Sequence, residues 1–204
     1  MKDNLGKRMK SYESVSNNYL MRRNPVIIRV DGKAFHTFTK GFEKPFDNIL
    51  MESMWETAKF LCANIQGCKI AYTQSDEISL LLTDYDNIDT HAWFQNNVQK
   101  MTSISASMAT LAFNKAFREK IEKYKDEIDS VQLEIYKKRV DTALFDSRVF
   151  SLPKEEVCNY FIWRQMDASR NSIQMYGRAH FSHKQLDKKS CNQIQEMLFQ
   201  EKNI

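Results

Sequence analysis

The sequence predicts an α+β fold in which one antiparallel sheet of four short strands carries several helices. Three observations support this fold class. The 204 residues are 42% hydrophobic and 27% charged, which is the balance of a globular chain with a sizeable core. Only 5 glycines and 3 prolines occur, which argues against a β-sandwich and against long flexible linkers. Short β-branched runs alternate with longer segments in which apolar residues recur every three or four positions.

The first elements are set by clear local signals. A short helix is predicted at residues 5–12. Residues 25–31 form a predicted strand because a β-branched run lies between a proline and an Asp-Gly turn. Apolar residues then recur at helical spacing over residues 47–65, and Asp47 is a suitable N-cap for that helix.

The remaining elements complete the order β, α, β, β, α, β. Strands are predicted at 69–73 and 78–83, joined by a tight hairpin, and at 148–152. Helices are predicted at 92–117, 153–170 and 184–199, and the charged segment 120–139 is either helical or irregular. This order is that of the ferredoxin-like split βαβ sheet, with helices on one face, which also underlies the palm of polymerases. We expect residues 1–204 to form a single palm-like catalytic domain with a helical C-terminal extension.

Composition also bears on location and partners. The four cysteines show no CxxC spacing, which predicts free thiols in a reducing compartment. The first twenty residues are polar, and no apolar run approaches the roughly 20 residues that span a bilayer. We therefore expect a cytoplasmic protein without a membrane partner. The net charge of +4 fits a nucleic-acid partner but does not establish one.

Two carboxylates stand out because the predicted topology brings them together. Asp31 closes the first strand, and Asp76 lies in the hairpin that leads into the third strand. The first and third strands are neighbours at the centre of a split βαβ sheet, so both side chains project at one place. Two adjacent carboxylates repel each other, and a hard divalent cation relieves that repulsion. Magnesium suits the position, and a pair of ions about 4 Å apart promotes phosphoryl transfer.

The residues after Asp31 are candidates for binding the substrate's phosphates. Gly32 has no side chain, so its carbonyl oxygen is a candidate metal ligand and phosphates can approach the backbone. The next backbone N–H groups are placed to form a concave nest for a triphosphate. They belong to Lys33, Ala34, Phe35 and His36. On the residues alone, an Asp-Gly pair after a strand is more often an ordinary turn than a ligand site.

Four sequence blocks around these positions resemble the signature blocks of the tRNA-histidine guanylyltransferase family. They are Arg29-Val-Asp-Gly-Lys-Ala-Phe-His36, Lys44-Pro45, Ala71-Tyr-Thr-Gln-Ser-Asp-Glu77 and Trp163-Arg-Gln-Met-Asp167. Their order and spacing match over nearly the whole chain. The resemblance implies a magnesium-dependent nucleotidyltransferase that extends RNA in the 3′-to-5′ direction. The 5′ end of a tRNA is first activated by a nucleoside triphosphate, and the 3′-hydroxyl of an incoming nucleotide then attacks the activated phosphate.

The resemblance also implies roles for individual residues. Asp31 and Asp76 would hold two Mg²⁺ ions together with the carbonyl of Gly32, and Glu77 is a further catalytic candidate that tunes the site from beside it. Lys44 would neutralise triphosphate charge. The nucleotide would be held by Asp31, Gly32, Lys33, Ala34, Phe35, His36, Ser75 and Asp76. The implied partners are tRNA, GTP and ATP, and the implied assembly is a homotetramer.

One block departs from the eukaryotic enzymes. Ala168-Ser-Arg-Asn-Ser172 stands where those enzymes carry His-Ile-Asn-Asn, and it resembles the bacterial and archaeal guanylyltransferase-like proteins. We therefore expect template-directed repair of tRNA 5′ ends, notably by addition of GMP from GTP after activation by ATP. A dedicated tRNA-histidine guanylyltransferase that adds a single 5′ G is the alternative. Arg164 and Asn171 are candidate contacts to RNA or phosphate.

Two further function classes share the predicted architecture. A palm-fold nucleotide cyclase also uses paired acids, although its hairpin is of the GGDEF type and the hairpin here reads Gln-Ser-Asp-Glu. A non-catalytic RNA-binding module would stack bases on strand aromatics. Tyr72 is the strand aromatic available for that role, and it has no partner in a paired aromatic motif.

Overall fold

The computed structural model describes residues 4–204. The strands are β1 (Val26–Gly32), β2 (Cys68–Gln74), β3 (Glu77–Leu82) and β4 (Phe145–Ser151). The helices are α1 (Asn4–Ser14), α2 (Phe35–Phe38), α3 (Asn48–Asn64), α4 (Val98–Tyr124), α5 (Ser130–Lys137), α6 (Val157–His180), α7 (His183–Leu186) and α8 (Cys191–Lys202). Single 3₁₀ turns lie at Trp93–Asn96 and Lys154–Glu156.

The strands form one sheet in the order β2-β3-β1-β4, in which all neighbouring pairs are antiparallel. This order confirms the predicted split βαβ arrangement, with β1 and β3 side by side at the centre. Asp31 of β1 is paired in register with Glu77 of β3 and with Asp146 of β4. Strand β1 therefore ends, and β3 begins, beside the β2–β3 hairpin, which is where the candidate site was predicted.

Alternate residues of β1 face two different layers. Val26, Ile28 and Val30 are buried in the main core, which α3 and α4 complete with residues such as Leu61 and Phe113. The intervening residue Ile27 packs with Leu81 and with Tyr160 of α6 in a second, smaller cluster. This alternation is the ordinary two-residue period of a strand. The prediction that helices cover only one face was therefore wrong, because α6 covers part of the second.

Several predicted boundaries were also wrong. The long helix starts at Val98 rather than at residue 92, because Phe94 and Gln95 adopt positive φ angles and the Asn97 side chain caps the helix by accepting from the Lys100 N–H at 2.9 Å. Strand β4 begins three residues earlier than predicted, at Phe145. The last predicted helix is divided into α7 and α8.

Helix α6 continues to His180, ten residues beyond its predicted end. Its second half is stabilised by α7 and α8, which form a satellite core with Phe181, Ile194 and Leu198. The close approach depends on Gly177, where an added Cβ would lie 2.8 Å from Ile194 and 3.3 Å from Leu186. The extension matters for function because it carries the end of α6 over the candidate site.

The start of α3 is fixed by Asp47, which is 4% exposed. One carboxylate oxygen accepts the Leu50 N–H at 2.8 Å, which confirms the predicted N-cap. The other accepts the Glu43 N–H at 3.1 Å and the Tyr136 hydroxyl at 2.6 Å. Asp47 thus joins the loop before α3, the helix itself and α5.

We expect Asp47→Ala to lower the free energy of unfolding by about 2–4 kcal/mol, because the cap is lost and the buried Tyr136 hydroxyl is left without its acceptor. Urea denaturation followed by circular dichroism measures this change. Asp47→Asn keeps an oxygen for the cap and should cost less. Equal stability of the alanine variant and the unchanged protein would show that these contacts are not what fixes α3.

Within residues 4–204, no helix has both the length and the apolar surface that crossing a bilayer requires. All four cysteines are free thiols, as predicted.

Candidate active site

The structure brings the Asp31 and Asp76 positions together. Asp31 lies near the end of β1, and Asp76 lies in the two-residue turn between β2 and β3. The Gly32 N–H donates to the Asp76 carbonyl oxygen at 3.1 Å, which ties the turn to the end of β1. Ser75, the other turn residue, has a positive φ of 48°. The hairpin is therefore held against the strand that carries the first carboxylate.

The charges at this point are only partly compensated. Burial raises the pKa of Asp76, and the neighbouring carboxylates of Asp31 and Glu77 raise it further, against hydrogen bonds from Ser75 and the backbone. The guanidinium of Arg148 lies 4.0 Å from the Asp31 carboxylate and 3.9 Å from that of Asp146. Arg148 is half-exposed, so its screening of Asp31 is weak. The site retains an excess of negative charge that a cation would relieve.

The turn after Asp31 requires glycine. A Cβ built on Gly32 would lie 2.3 Å from the Phe35 ring, so no side chain fits there without displacing that ring. Phe35 is 4% exposed and its ring centroid lies 4.8 Å from that of Phe38 and 5.1 Å from that of Phe145. The Phe35 side chain is therefore part of the core, and only its backbone faces the site.

The predicted nest of backbone N–H groups is smaller than expected. The Lys33 N–H donates to the Leu144 carbonyl oxygen at 2.8 Å, so the prediction that it is free for phosphate was wrong. Ala34 has a left-handed backbone, with φ of 54°, and precedes α2. The N–H groups of Phe35 and His36 begin that helix, where the first donors have no acceptor within the helix. The backbone after Ala34 thus still presents donors.

A cleft of about 520 Å³ opens beside the carboxylates. It is lined by most of the residues predicted to hold the nucleotide, namely Gly32, Ala34, Phe35, His36, Lys44, Ser75 and Asp76. Asp31 and Lys33 are not part of the lining. Lys44 lies in the loop between α2 and α3, directly before a cis proline, and supplies one positive charge to the cleft. Arg178, near the end of α6, supplies a second positive charge. The cleft combines these two cations and backbone groups with the carboxylates of Glu43, Asp47 and Asp76, a mixture that suits a phosphorylated ligand bound together with a divalent cation.

Glu77 points away from the cleft into a buried ionic network. Its carboxylate accepts from Arg164 at 2.9 Å and from the Ser79 hydroxyl at 3.3 Å, and the Arg29 guanidinium lies 4.0 Å away. The Ser79 and Tyr160 hydroxyl oxygens are 2.7 Å apart. Glu77, which directly follows Asp76, therefore connects the start of β3 to α6 through its ion pair with Arg164.

The two candidate RNA contacts have different surroundings. The Arg164 side chain is 6% exposed, lies 3.5 Å from the Asp167 carboxylate as well as bonding to Glu77, and stacks on the Trp163 ring at 3.5 Å. This placement argues against direct contact between Arg164 and RNA. Asn171 is exposed and lines a second cavity beside the cleft.

Sequence reasoning missed three residues of the site. Asp146 and Arg148 are exposed on β4 next to Asp31, and a register that started β4 at Phe145 would have found them. Arg178 lies outside the predicted site because the predicted helix ends at residue 170, whereas α6 continues to His180. Its position over the cleft depends on the packing of α6 with α8, for which the local sequence gives no signal.

The donor set at this site suits a hard divalent cation, since it consists of two carboxylates and a backbone carbonyl at a position where glycine is required. A larger protein cage is absent: across residues 4–204, no three His, Cys, Asp or Glu side chains gather into a group that could hold a metal. The arrangement therefore fits a cation that completes its coordination with water and substrate phosphates, as magnesium does.

Comparison with known proteins agrees with this geometry. The family model described as Thg1, tRNAHis guanylyltransferase, matches residues 6–153. A bacterial tRNAHis guanylyltransferase-like protein solved in complex with ATP is 50% identical, with a TM-score of 0.86 over 98% of this chain and 81% of that one. The same kind of protein in complex with GTP gives 50% identity and a TM-score of 0.76 over 88% of this chain and 78% of that one.

Two curated relatives are more distant. An uncharacterised protein of Acanthamoeba polyphaga mimivirus is 30% identical over 98% of this chain and 71% of its own length. The tRNAHis guanylyltransferase of Debaryomyces hansenii is 30% identical over 76% of this chain. The alignment spans only about half, 54%, of that yeast enzyme.

Proposed function

The chain belongs to the tRNAHis guanylyltransferase family of nucleotidyltransferases, and we propose that it is a template-directed 3′-to-5′ nucleotidyltransferase acting on tRNA 5′ ends. In this proposal ATP activates the 5′ end, and nucleotides, notably GMP from GTP, are then added in 5′-end repair. The observation that carries the proposal is the cleft beside the Asp31 and Asp76 carboxylates, whose lining includes the cations of Lys44 and Arg178. Solved relatives that are 50% identical are complexes with ATP and with GTP, which supports the same ligands here.

Phosphoryl transfer requires positioning of the reacting groups and neutralisation of their charge rather than a protein nucleophile. We propose that Asp31, Asp76 and the Gly32 carbonyl hold two Mg²⁺ ions, which would supply charge stabilisation at the reacting phosphate when bound. Lys44 and Arg178 neutralise the triphosphate of the nucleotide in the cleft. We propose that Arg148, which is exposed beside Asp31 on the β4 side, binds the 5′ phosphate of the RNA.

Two observations favour repair over dedicated addition of a single G. Ala168-Ser-Arg-Asn-Ser172 departs from the eukaryotic motif. Identity is also 50% with the bacterial guanylyltransferase-like proteins, compared with 30% for the yeast enzyme.

The test is an extension assay with a tRNA that lacks its first 5′ nucleotide, supplied with ATP, GTP and Mg²⁺. We expect the RNA to be lengthened at its 5′ end, and the added nucleotide to follow the opposing base when that base is changed. Addition of G whatever the opposing base would favour the dedicated enzyme. If neither monophosphorylated nor triphosphorylated RNA is extended, the proposal is wrong.

Lys44→Ala should raise the KM for GTP roughly tenfold to a hundredfold, because a charge-assisted hydrogen bond to phosphate contributes about 1.5–3 kcal/mol. Steady-state kinetics at saturating RNA measures the change. Lys40→Ala is the matched control, since Lys40 is an exposed lysine of the same loop that does not line the cleft. If both substitutions raise the KM equally, Lys44 contributes only to the overall positive charge of the loop and does not bind the phosphate directly.

We also propose a homotetramer, as the family resemblance implies, and a cytoplasmic location, as the cysteine pattern and the polar first residues suggest. Helix α1 supports self-association, since none of its residues is buried and it exposes Leu5, Met9 and Tyr12. Light scattering should give a mass about four times that of one chain. A monomeric mass at micromolar concentration would contradict this assembly.

A further inference from the structure

A second cavity, of about 360 Å³, lies next to the nucleotide cleft. Its walls come from the start of α3, the end of β2 and the middle of α6, and it shares Asp47, Leu50, Ser75 and Met175 with the cleft. The two spaces are therefore neighbours across the β2–β3 turn. This volume is within the roughly 300–1,000 Å³ that is usual for small-molecule sites.

The lining of the second cavity differs in charge from that of the cleft. The cleft contains Lys44 and Arg178, whereas the described lining of the second cavity contains neither lysine nor arginine. Its one ionisable acid, Asp47, is already engaged by three donors. The second cavity thus suits an uncharged, flat group and not a phosphate.

One wall offers an aromatic face for stacking. Trp55 of α3 lines the cavity and is 51% exposed. In the described part of the chain no aromatic ring or cation stacks on Trp55, whereas Trp93 contacts Phe94 and Trp163 carries Arg164. Methionines line the same space, and the amides of Gln74 and Asn171 provide donors and acceptors for a base edge.

We propose that this cavity binds a single unpaired nucleobase of the RNA substrate, the templating base opposite the nucleotide that is being added. The inference rests on the proposed function, since a templated reaction leaves one base without a partner until the incoming nucleotide arrives. The triphosphate then lies in the cleft that contains Lys44 and Arg178, and the templating base stacks on Trp55 across the Ser75 turn. Base stacking on an aromatic residue tolerates any base, which a template reader requires.

The test measures binding without chemistry. The probe is an RNA hairpin that mimics an acceptor stem lacking its 5′-terminal nucleotide, compared with the same hairpin carrying an abasic nucleotide at the unpaired position. Binding is followed by tryptophan fluorescence and by filter retention, in the absence of nucleotides. We expect Trp55→Ala to weaken binding of the ordinary hairpin roughly tenfold or more and to leave binding of the abasic hairpin unchanged.

Two variants control the result. Trp55→Phe keeps an aromatic face and should recover most of the affinity. Phe60→Ala removes an exposed aromatic ring from the same helix outside both cavities and should change neither affinity. The inference is overturned if Trp55→Ala weakens both hairpins equally or neither, or if it raises the KM for GTP instead. If Trp55→Ala extends RNA as well as the unchanged protein does, this inference alone is overturned. If the protein binds the ordinary hairpin more tightly than the abasic one but extends no RNA, the proposed function alone is overturned.

Discussion

Replacing Asp31 or Asp76 with asparagine is expected to lower the rate of 5′ nucleotide addition by roughly a thousandfold or more. Asparagine keeps the size of the side chain but removes the negative charge that would hold a divalent cation. Loss of several kcal/mol of charge stabilisation at the reacting phosphate corresponds to a factor of about 10³. Single-turnover extension of a triphosphorylated tRNA with GTP and Mg²⁺ measures the chemical step directly.

Both variants should remain folded. Among the residues that the structure describes, the half-exposed Arg148 is the one cation within 4.0 Å of Asp31, and such pairs contribute little. Asp76→Asn removes a carboxylate whose charged form is disfavoured by burial and by the neighbouring carboxylates of Asp31 and Glu77. Melting temperatures close to that of the unchanged protein would therefore assign the lost rate to chemistry. Asp86→Asn is the matched control, because Asp86 is an exposed carboxylate that pairs with Lys69 away from the site.

The result also discriminates between two possible partners of Asp31. Asp146 faces Asp31 in register from β4, and Asp76 approaches from the hairpin. We propose that the metal site lies on the Asp76 side, because that carboxylate is partly buried and pairs with no cation among residues 4–204, while Asp146 is exposed and 3.9 Å from Arg148. A thousandfold loss for Asp146→Asn combined with near-normal activity for Asp76→Asn would move the site to the β4 side.

Local signals explain which parts of the fold the sequence predicts. The β-branched run before Asp31, the hairpin at Ser75 and the capping carboxylate of Asp47 each act within a few residues, so each is readable from the sequence. The central position of β1 and β3 then follows from the order of the elements. Together these features placed Asp31 and Asp76 side by side.

The features that were missed depend on contacts between distant segments. Helix α6 reaches His180 because Gly177 allows close packing against α8, and only then does Arg178 lie over the cleft. The burial of Arg164 likewise depends on Glu77, 87 positions away, which no local pattern reveals. The second cavity exists only where α3, β2 and α6 meet. Such parts of a site follow from tertiary packing and not from motifs.

Glu77→Ala is expected to lower the free energy of unfolding by about 3–5 kcal/mol, because it leaves the buried Arg164 guanidinium without its closest counter-charge. Asp167, 3.5 Å from Arg164, compensates only in part because it also pairs with Arg170. Glu77→Gln retains an acceptor for Arg164 and should cost less. Urea denaturation of each variant measures the loss.

The role of Glu77 follows from comparing its stability and rate effects with those of Asp76. We propose that Glu77 acts by holding the Asp76 turn against α6, so its variants should lose stability first and activity in proportion to the disturbed turn. The Glu77→Ala/Arg164→Ala double variant should be less destabilised than the sum of the single changes, because it removes the buried Arg164 guanidinium together with its closest counter-charge. A thousandfold rate loss in Glu77→Gln at unchanged stability would instead make Glu77 a direct participant beside Asp31 and Asp76. Asp76 and Glu77 would then both act in cation binding, whereas the hydrogen bond from Arg164 to Glu77 supports our proposal that Glu77 positions the turn and leaves cation binding to Asp76.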